Sequence, residues 1–240
     1  SDKQLQQLSI PLLVEQILAV TVGLADSVMI AGVGEAAVSG VSLVDTVMVL
    51  LINVFSALAT GGAVVSGQYL GQKHSADASK AADQLVLFTG ALSLVITVLV
   101  YGGQNLILDG VFGKIEADVM KNARIYLLIV TASIPFLALY NAGAALFRAM
   151  GNSQISMKTS LLMNAINICG NGILIFGMKW GVAGAAIPTL VSRMAAAVVI
   201  LLLLRKQDQE IHLTKPFQWK FDGPTVKKIL HIGVPNGLEN

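Results

Sequence analysis

Four polar side chains repeat along one apolar stretch of the sequence, at spacings of four, three and four residues. They are Ser160, Asn164, Asn167 and Asn171. Because an α-helix turns by about 100° per residue, this spacing predicts one polar stripe on one helix face. Such a stripe either joins neighbouring helices through amide hydrogen bonds or lines a functional site.

Oxygen ligands from three helices would lie at a similar depth if each apolar stretch crosses a membrane. At a rise of 1.5 Å per residue, Asp26 and Thr189 lie roughly 10 Å from one end of their helices, and Asn171 and Asn167 roughly 9 and 15 Å. This set suits a hard cation such as Na⁺, and a carboxylate in a low-dielectric site can instead take a proton. We therefore predict that these four residues bind a coupling cation, either Na⁺ as a metal ion or H⁺.

Three neighbours of this site are candidates for a supporting role. Arg193 follows Thr189 by one helical turn and could form an ion pair with Asp26, which would make Asp26 structural. Asp45 lies at a similar depth, but we interpret it as a solvated cap in the first turn of the second helix. Asn164 belongs to the polar stripe and could assist the other two amides.

Pro11 is a candidate hinge in the helix that carries Asp26. It lies 15 positions before Asp26, and a proline removes one backbone hydrogen bond and gives the helix a place to bend. Prolines are also common near helix starts, where they have no hinge role.

The composition indicates that these helices cross a membrane. Of 240 residues, 55% are hydrophobic and only 12% charged, whereas soluble domains carry roughly 25% charged residues. Four stretches lack Asp, Glu, Lys and Arg and are 20 to 27 residues long, namely 46–72, 84–108, 125–147 and 159–178. Two more, 8–31 and 182–204, contain only isolated charges. We predict an all-α polytopic membrane protein with six crossings.

The remaining motifs argue against an enzyme. The single Cys169 excludes an intramolecular disulfide, and His74, His212 and His231 have no metal-ligand spacing. No nucleotide-binding loop or nucleophile set is present, and we predict no cofactor and no nucleic-acid partner.

The basic residues predict the orientation of the chain. With a cytoplasmic N-terminus, the inner segments hold eleven of the 16 Lys and Arg residues and the outer loops only four, namely Lys114, Lys121, Arg124 and Lys179. This bias favours a multi-pass protein of the cell inner (plasma) membrane with its N-terminus inside.

The end of the chain resembles its beginning. Pro11 and Glu15 align with Pro235 and Glu239 at a constant offset of 224. Six crossings return the chain to the starting side, where a second, parallel six-helix unit would begin. We predict a six-helix lobe over residues 1–204, a cytoplasmic inter-lobe linker over 205–228, and the start of a seventh helix over 229–240.

These features together resemble the multidrug and toxic compound extrusion (MATE) family. The resemblance rests on Pro11, Asp26, GQYLGQ at 67–72, RAMGN at 148–152, the segment 164–177 and GVAGAA at 181–186. It implies a twelve-helix antiporter of two lobes that expels amphipathic, often cationic organic compounds in exchange for Na⁺ or H⁺. It also implies that Asp26, Asn167, Asn171 and Thr189 bind the coupling cation.

Two departures from the family pattern matter. Some members have Asp where this chain has Asn171, so this site holds one carboxylate fewer and H⁺ coupling stays open. Only one lobe is present, so transport needs a C-terminal lobe in the same chain or a second one. Two other functions stay open: a flippase for lipids or lipid-linked oligosaccharides, and a membrane receptor or assembly subunit whose polar stripe only joins helices.

Overall fold

The computed structural model describes residues 2–239, and every regular element within that range is helical. The N-terminal part contains α1 (Asp2–Ala31), α2 (Glu35–Gly71), α3 (Ser75–Gly102) and a short π-helix (Leu106–Val111). The central part contains α4 (Ala117–Thr131), α5 (Ile134–Ala149), α6 (Gln154–Asn171) and a second π-helix (Gly172–Gly177). The chain then forms α7 (Ala183–Leu204) and α8 (Gly223–Glu239).

Six spans arise when α4 and α5 are counted as one broken crossing. The other five, α1, α2, α3, α6 with its π-helical extension, and α7, are each long and apolar enough to cross a membrane. The predicted all-helical, polytopic class is therefore confirmed.

The fourth span is bent, although its uninterrupted apolar run predicts a single helix. The axis of the span bends by 47° between α4 and α5. Pro135 lies in the first turn of α5, where a proline fits a helix start but cannot continue the hydrogen bonding of a preceding helix. The Ser133 hydroxyl donates to the carbonyl of Val130 at the break.

Glycines let α8 pack directly on α2. A Cβ on Gly233 would lie 2.9 Å from the Ala57 carbonyl oxygen, and a Cβ on Gly61 would lie 2.8 Å from the Gly233 nitrogen. Only glycine allows the two backbones to approach this closely. The predicted seventh crossing, which is α8, is thus packed against α2.

The segment 205–222 folds back onto the start of α3 and is held there by two buried side chains. Asp83 accepts hydrogen bonds from the backbone nitrogens of Thr214 (2.9 Å) and Gln218 (3.3 Å) and from the Thr214 hydroxyl. Gln84 accepts from the nitrogen of Asp222 at 2.8 Å and donates to the carbonyl of Lys220 at 2.9 Å. This segment is therefore a structured connection.

The last helix begins at Gly223, six residues before the predicted start at residue 229. The predicted linker boundary at 228 is therefore wrong. The Asp222 carbonyl accepts from the Val226 nitrogen, and its carboxylate accepts from the Thr225 hydroxyl. Asp222, with Pro224 two residues later, thus forms a helix start. Lys227 and Lys228 lie in the first turns of α8, so a prediction based on apolar runs places the start of this helix too late.

Candidate functional site

Asp26 and Asn171 meet where α1 packs on the end of α6. The side-chain nitrogen Nδ2 of Asn171 donates to Oδ1 of Asp26 at 2.6 Å. Asn171 is 1% exposed, and its Oδ1 is buried with no hydrogen-bond partner among the described residues. A buried carbonyl oxygen without a donor is costly, and beside a carboxylate it is an available ligand for a cation.

Asn167 and Thr189 form a second contact one helical turn along α6. The Thr189 hydroxyl lies 3.3 Å from Oδ1 of Asn167 and 3.2 Å from the Ala185 carbonyl oxygen, and donates to one or the other. Nδ2 of Asn167 donates to the Ser192 hydroxyl at 3.4 Å. The structure therefore brings the four predicted ligands into two adjacent pairs. Their role in cation binding stays a prediction.

Close packing of α6 on α7 keeps the second pair together. A Cβ on Gly170 would lie 2.7 Å from Cβ and 2.8 Å from Cγ of Pro188, the residue before Thr189. A Cβ on Gly184 would lie 3.0 Å from the backbone nitrogen of Ile175. The two glycines thus remove the volume that would otherwise separate the helices. Neither contact was predicted from the sequence.

A π-helix follows Asn171 directly. It runs Gly172–Gly177, and the nitrogen of Met178 donates to the carbonyl of Ile173, five residues earlier. Short π-helical turns inside α-helices occur often at functional sites. Here the change in winding begins at the residue that contacts Asp26.

Arg193 does not pair with Asp26. Its guanidinium donates to the Ser133 hydroxyl at 2.7 Å, at the break of the fourth span. Among residues 2–239, no Lys or Arg nitrogen lies within 4.0 Å of an Asp or Glu oxygen, and the contact within that distance is between Nδ1 of His74 and Oδ2 of Asp77. The ion-pair alternative for Asp26 is therefore wrong, because the Arg193 side chain reaches a different helix.

Asp45 is not a cap in a first helical turn. α2 begins at Glu35, ten residues earlier, because the turn after α1 is only three residues long. The hydroxyl of Tyr126 donates to Oδ1 of Asp45 at 3.2 Å. Asp45 thus lies inside α2 and is bonded to α4, so the cap interpretation is wrong, whereas its supporting role stays a prediction.

The far end of the polar stripe belongs to a separate cluster around Glu15. The Glu15 carboxylate accepts from the hydroxyls of Ser160 (3.0 Å) and Ser156 (3.4 Å), and the Ser160 hydroxyl lies 3.0 Å from that of Tyr140. Asn164, between the two clusters, makes no side-chain hydrogen bond within the described part of the chain. Glu239, which aligns with Glu15 in the repeat, has a side chain outside the described residues.

Pro11 is buried inside α1, which stays helical on both sides of it. Since α1 begins at Asp2, Pro11 lies well beyond the first turn. The explanation that it marks a helix start is therefore wrong, whereas its role as a hinge stays a prediction.

Comparisons with known proteins agree with this architecture. The MatE family model matches residues 11–173. The chain is 28% identical to "Uncharacterized transporter YisQ" of Bacillus subtilis, over 95% of this chain and 50% of that protein. It is 27% identical to "Probable multidrug resistance protein NorM" of Thermotoga maritima, over 99% of this chain and 51% of that protein.

Solved structures show the same fold. An outward-facing multidrug resistance MATE family transporter of the MOP superfamily superposes with a TM-score of 0.90 at 24% identity, covering 98% of this chain and 52% of that one. A MOP superfamily transporter from Pyrococcus furiosus gives 0.90 at 23% identity with the same coverage.

The chain thus spans about half the length of its curated relatives and aligns with their N-terminal half. The family model covers more than half of the chain. The protein therefore belongs to the MatE family of transporters, which are not enzymes.

Proposed function

We propose that this chain is the N-terminal lobe of a cation-coupled antiporter that exports amphipathic, often cationic organic compounds. Family membership supports export, and two relatives carry names that describe multidrug resistance or export. Support for coupling comes from one contact, the 2.6 Å hydrogen bond between Asn171 and Asp26 beside the unpartnered Oδ1 of Asn171.

The cation would be held by oxygen atoms of three helices. Asp26 supplies a charge from α1, Asn167 and Asn171 supply amide oxygens from α6, and Thr189 supplies a hydroxyl from α7. These are hard ligands of the kind that Na⁺ prefers, and a proton would bind to Asp26 alone. In either case one positive charge neutralises the Asp26 carboxylate.

Neutralisation would change how α1 packs. A bare carboxylate inside the hydrocarbon is costly and holds α1 close to donors such as Nδ2 of Asn171. Once neutralised, the carboxyl needs those donors less, and another packing of α1 becomes accessible. The cation and the exported compound would then each favour a different packing, which couples their movements.

The lobe would work beside a second, C-terminal lobe in the plasma membrane. The chain spans about half of its relatives, and α8 would be the first helix of that second lobe. The distribution of basic residues favours a cytoplasmic N-terminus. The inter-lobe segment 205–222 would then lie at the cytoplasmic surface.

We expect a Pro11→Ala variant to transport more slowly, by roughly 10-fold, if α1 bends at Pro11. Alanine restores the backbone donor and makes a straight α1 more stable by roughly 3 kcal/mol or less. The measurement is the initial rate of substrate transport into proteoliposomes. Pro224→Ala controls for the loss of a proline in general, since Pro224 lies in the first turn of α8, where a proline has no hinge role. Equal rates in wild type and Pro11→Ala would remove the hinge.

Transport driven by an imposed gradient tests the proposed function itself. This lobe and the C-terminal lobe are reconstituted together in liposomes. Uptake of a fluorescent amphipathic cation is then followed under a Na⁺ or an H⁺ gradient. We expect at least one gradient to drive uptake above that of protein-free liposomes. Failure of both gradients, with transbilayer movement of a labelled lipid instead, would favour a flippase.

A further inference from the structure

An apolar groove lies on the outside of the bundle, away from the candidate cation site. It encloses about 860 Å³ between α3, the end of α7 and the segment that follows α7. Its walls include Gly90, Ala91 and Leu94 of α3 and Leu202 of α7. Leu94 and Leu202 are more than half exposed, as expected for side chains that face lipid.

One end of this groove is basic. Arg205, Lys206 and Lys215 line it, all three are exposed, and the described lining contains no Asp or Glu. Asp208 and Glu210 occur in the same segment but do not line the groove. An apolar slot that ends in three cations is complementary to a molecule with a hydrocarbon chain and an anionic head.

The basic end also carries aromatic residues typical of a membrane interface. Trp219 is 78% exposed, lines the groove and packs edge-on against Phe217 with ring centroids 4.9 Å apart. Aromatic side chains of this kind concentrate at the level of lipid headgroups. In a membrane, these residues would place the basic end at the headgroups and the apolar part in the hydrocarbon.

The basic end is preformed, because the segment that builds it is fixed. Asp83 and Gln84, both buried, hold the backbone of Thr214, Gln218, Lys220 and Asp222 against α3. At the other side, the nitrogen of Leu213 donates to the carbonyl of Leu204 at 2.9 Å. Lys215 is thereby held in the same groove as Arg205 and Lys206, so no loose loop has to become ordered when a ligand binds.

We propose that this groove is a binding site for an anionic phospholipid of the leaflet on the basic side of the membrane. One acyl chain lies between α3 and α7, and the phosphate contacts Arg205, Lys206 and Lys215. Bound lipid would join α3, α7 and the inter-lobe segment, and so bias how the two lobes are connected. This inference does not depend on the coupling cation.

Lipid binding to the purified full-length transporter in detergent tests this proposal. Dioleoyl phosphatidylglycerol and dioleoyl phosphatidylcholine are compared by native mass spectrometry, since they share chains and differ in charge. We expect wild type to retain phosphatidylglycerol preferentially. Replacing Arg205, Lys206 and Lys215 with Gln should weaken this binding on the order of 100-fold, about fivefold for each basic residue.

Two further variants separate charge from shape. Replacing Lys80, Lys158 and Lys227 with Gln removes the same charge outside the groove and should leave the preference intact. Ala91→Phe keeps the charges but fills the hydrocarbon part, and should weaken binding of both lipids. If the triple variant does not fold, Lys215→Gln alone should weaken phosphatidylglycerol binding about fivefold. Equal binding of both lipids to wild type, or undiminished binding to the folded variants of the basic end, would overturn the proposal.

Discussion

Asp26→Asn should abolish coupled transport while the protein still folds. The Asn side chain keeps an oxygen that can accept the hydrogen bond from Nδ2 of Asn171, now 2.6 Å from Oδ1 of Asp26. It cannot bind a proton at physiological pH and brings no charge to a cation. We expect cation binding to weaken at least on the order of 10-fold, since contacts with a charged group contribute roughly 1.5–3 kcal/mol. Gradient-driven efflux from cells and proteoliposomes measures the effect.

Asp118→Asn is the matched control for this variant. Asp118 is an exposed carboxylate in the first turn of α4, outside the candidate cation site, so the same change of charge should leave efflux unaltered. Normal efflux by Asp26→Asn would reject the coupling role. Loss of folded protein would instead make the Asp26 carboxylate a structural group.

Gly170→Ala should separate α6 from α7 and weaken the cation site without touching any of its four predicted ligands. The new methyl group would lie 2.7 and 2.8 Å from two carbons of the Pro188 ring, which is too rigid to move aside alone. Overpacking of this kind typically costs about 1–3 kcal/mol. We expect a lower melting temperature, and weaker cation binding because Thr189 is displaced from Asn167.

Gly172→Ala, two residues away, provides a close control. A Cβ at Gly172 meets nothing within 4 Å, and its φ of −59° suits any residue. Its melting temperature and cation affinity should match wild type or exceed it slightly. If Gly170→Ala also behaves as wild type, the packing of α6 on α7 does not control the site.

The spans were predictable because a membrane imposes a simple rule on sequence. Each crossing needs roughly 20 apolar residues, and charge-free runs of that length stand out. What the runs do not reveal is where a span breaks. The bend before Pro135 and the π-helix after Asn171 change backbone hydrogen bonding without changing hydrophobicity. The early start of α8 was hidden for the opposite reason, since its first turns are polar.

The meeting of Asp26 with Asn171 followed from depth along two helices. Depth says nothing about rotation of a helix about its axis, and the remaining contacts depend on rotation. The partners of Arg193 and Asp45, which are Ser133 and Tyr126, lie 60 and 81 residues away in sequence. The contact of Gly170 with Pro188 likewise requires that α6 and α7 face each other at that level. In the sequence, the only sign of this contact is the position of Gly170 next to the polar stripe.

Cation release on substrate addition tests the coupling role of Asp26 most directly. The complete transporter is equilibrated with ²²Na⁺ in a weakly buffered solution that contains a pH indicator, and an amphipathic cation is added. If Asp26 exchanges a small cation for substrate, wild type should release Na⁺ or protons, whereas Asp26→Asn should release neither. Undiminished release from folded Asp26→Asn protein would contradict the role of this carboxylate.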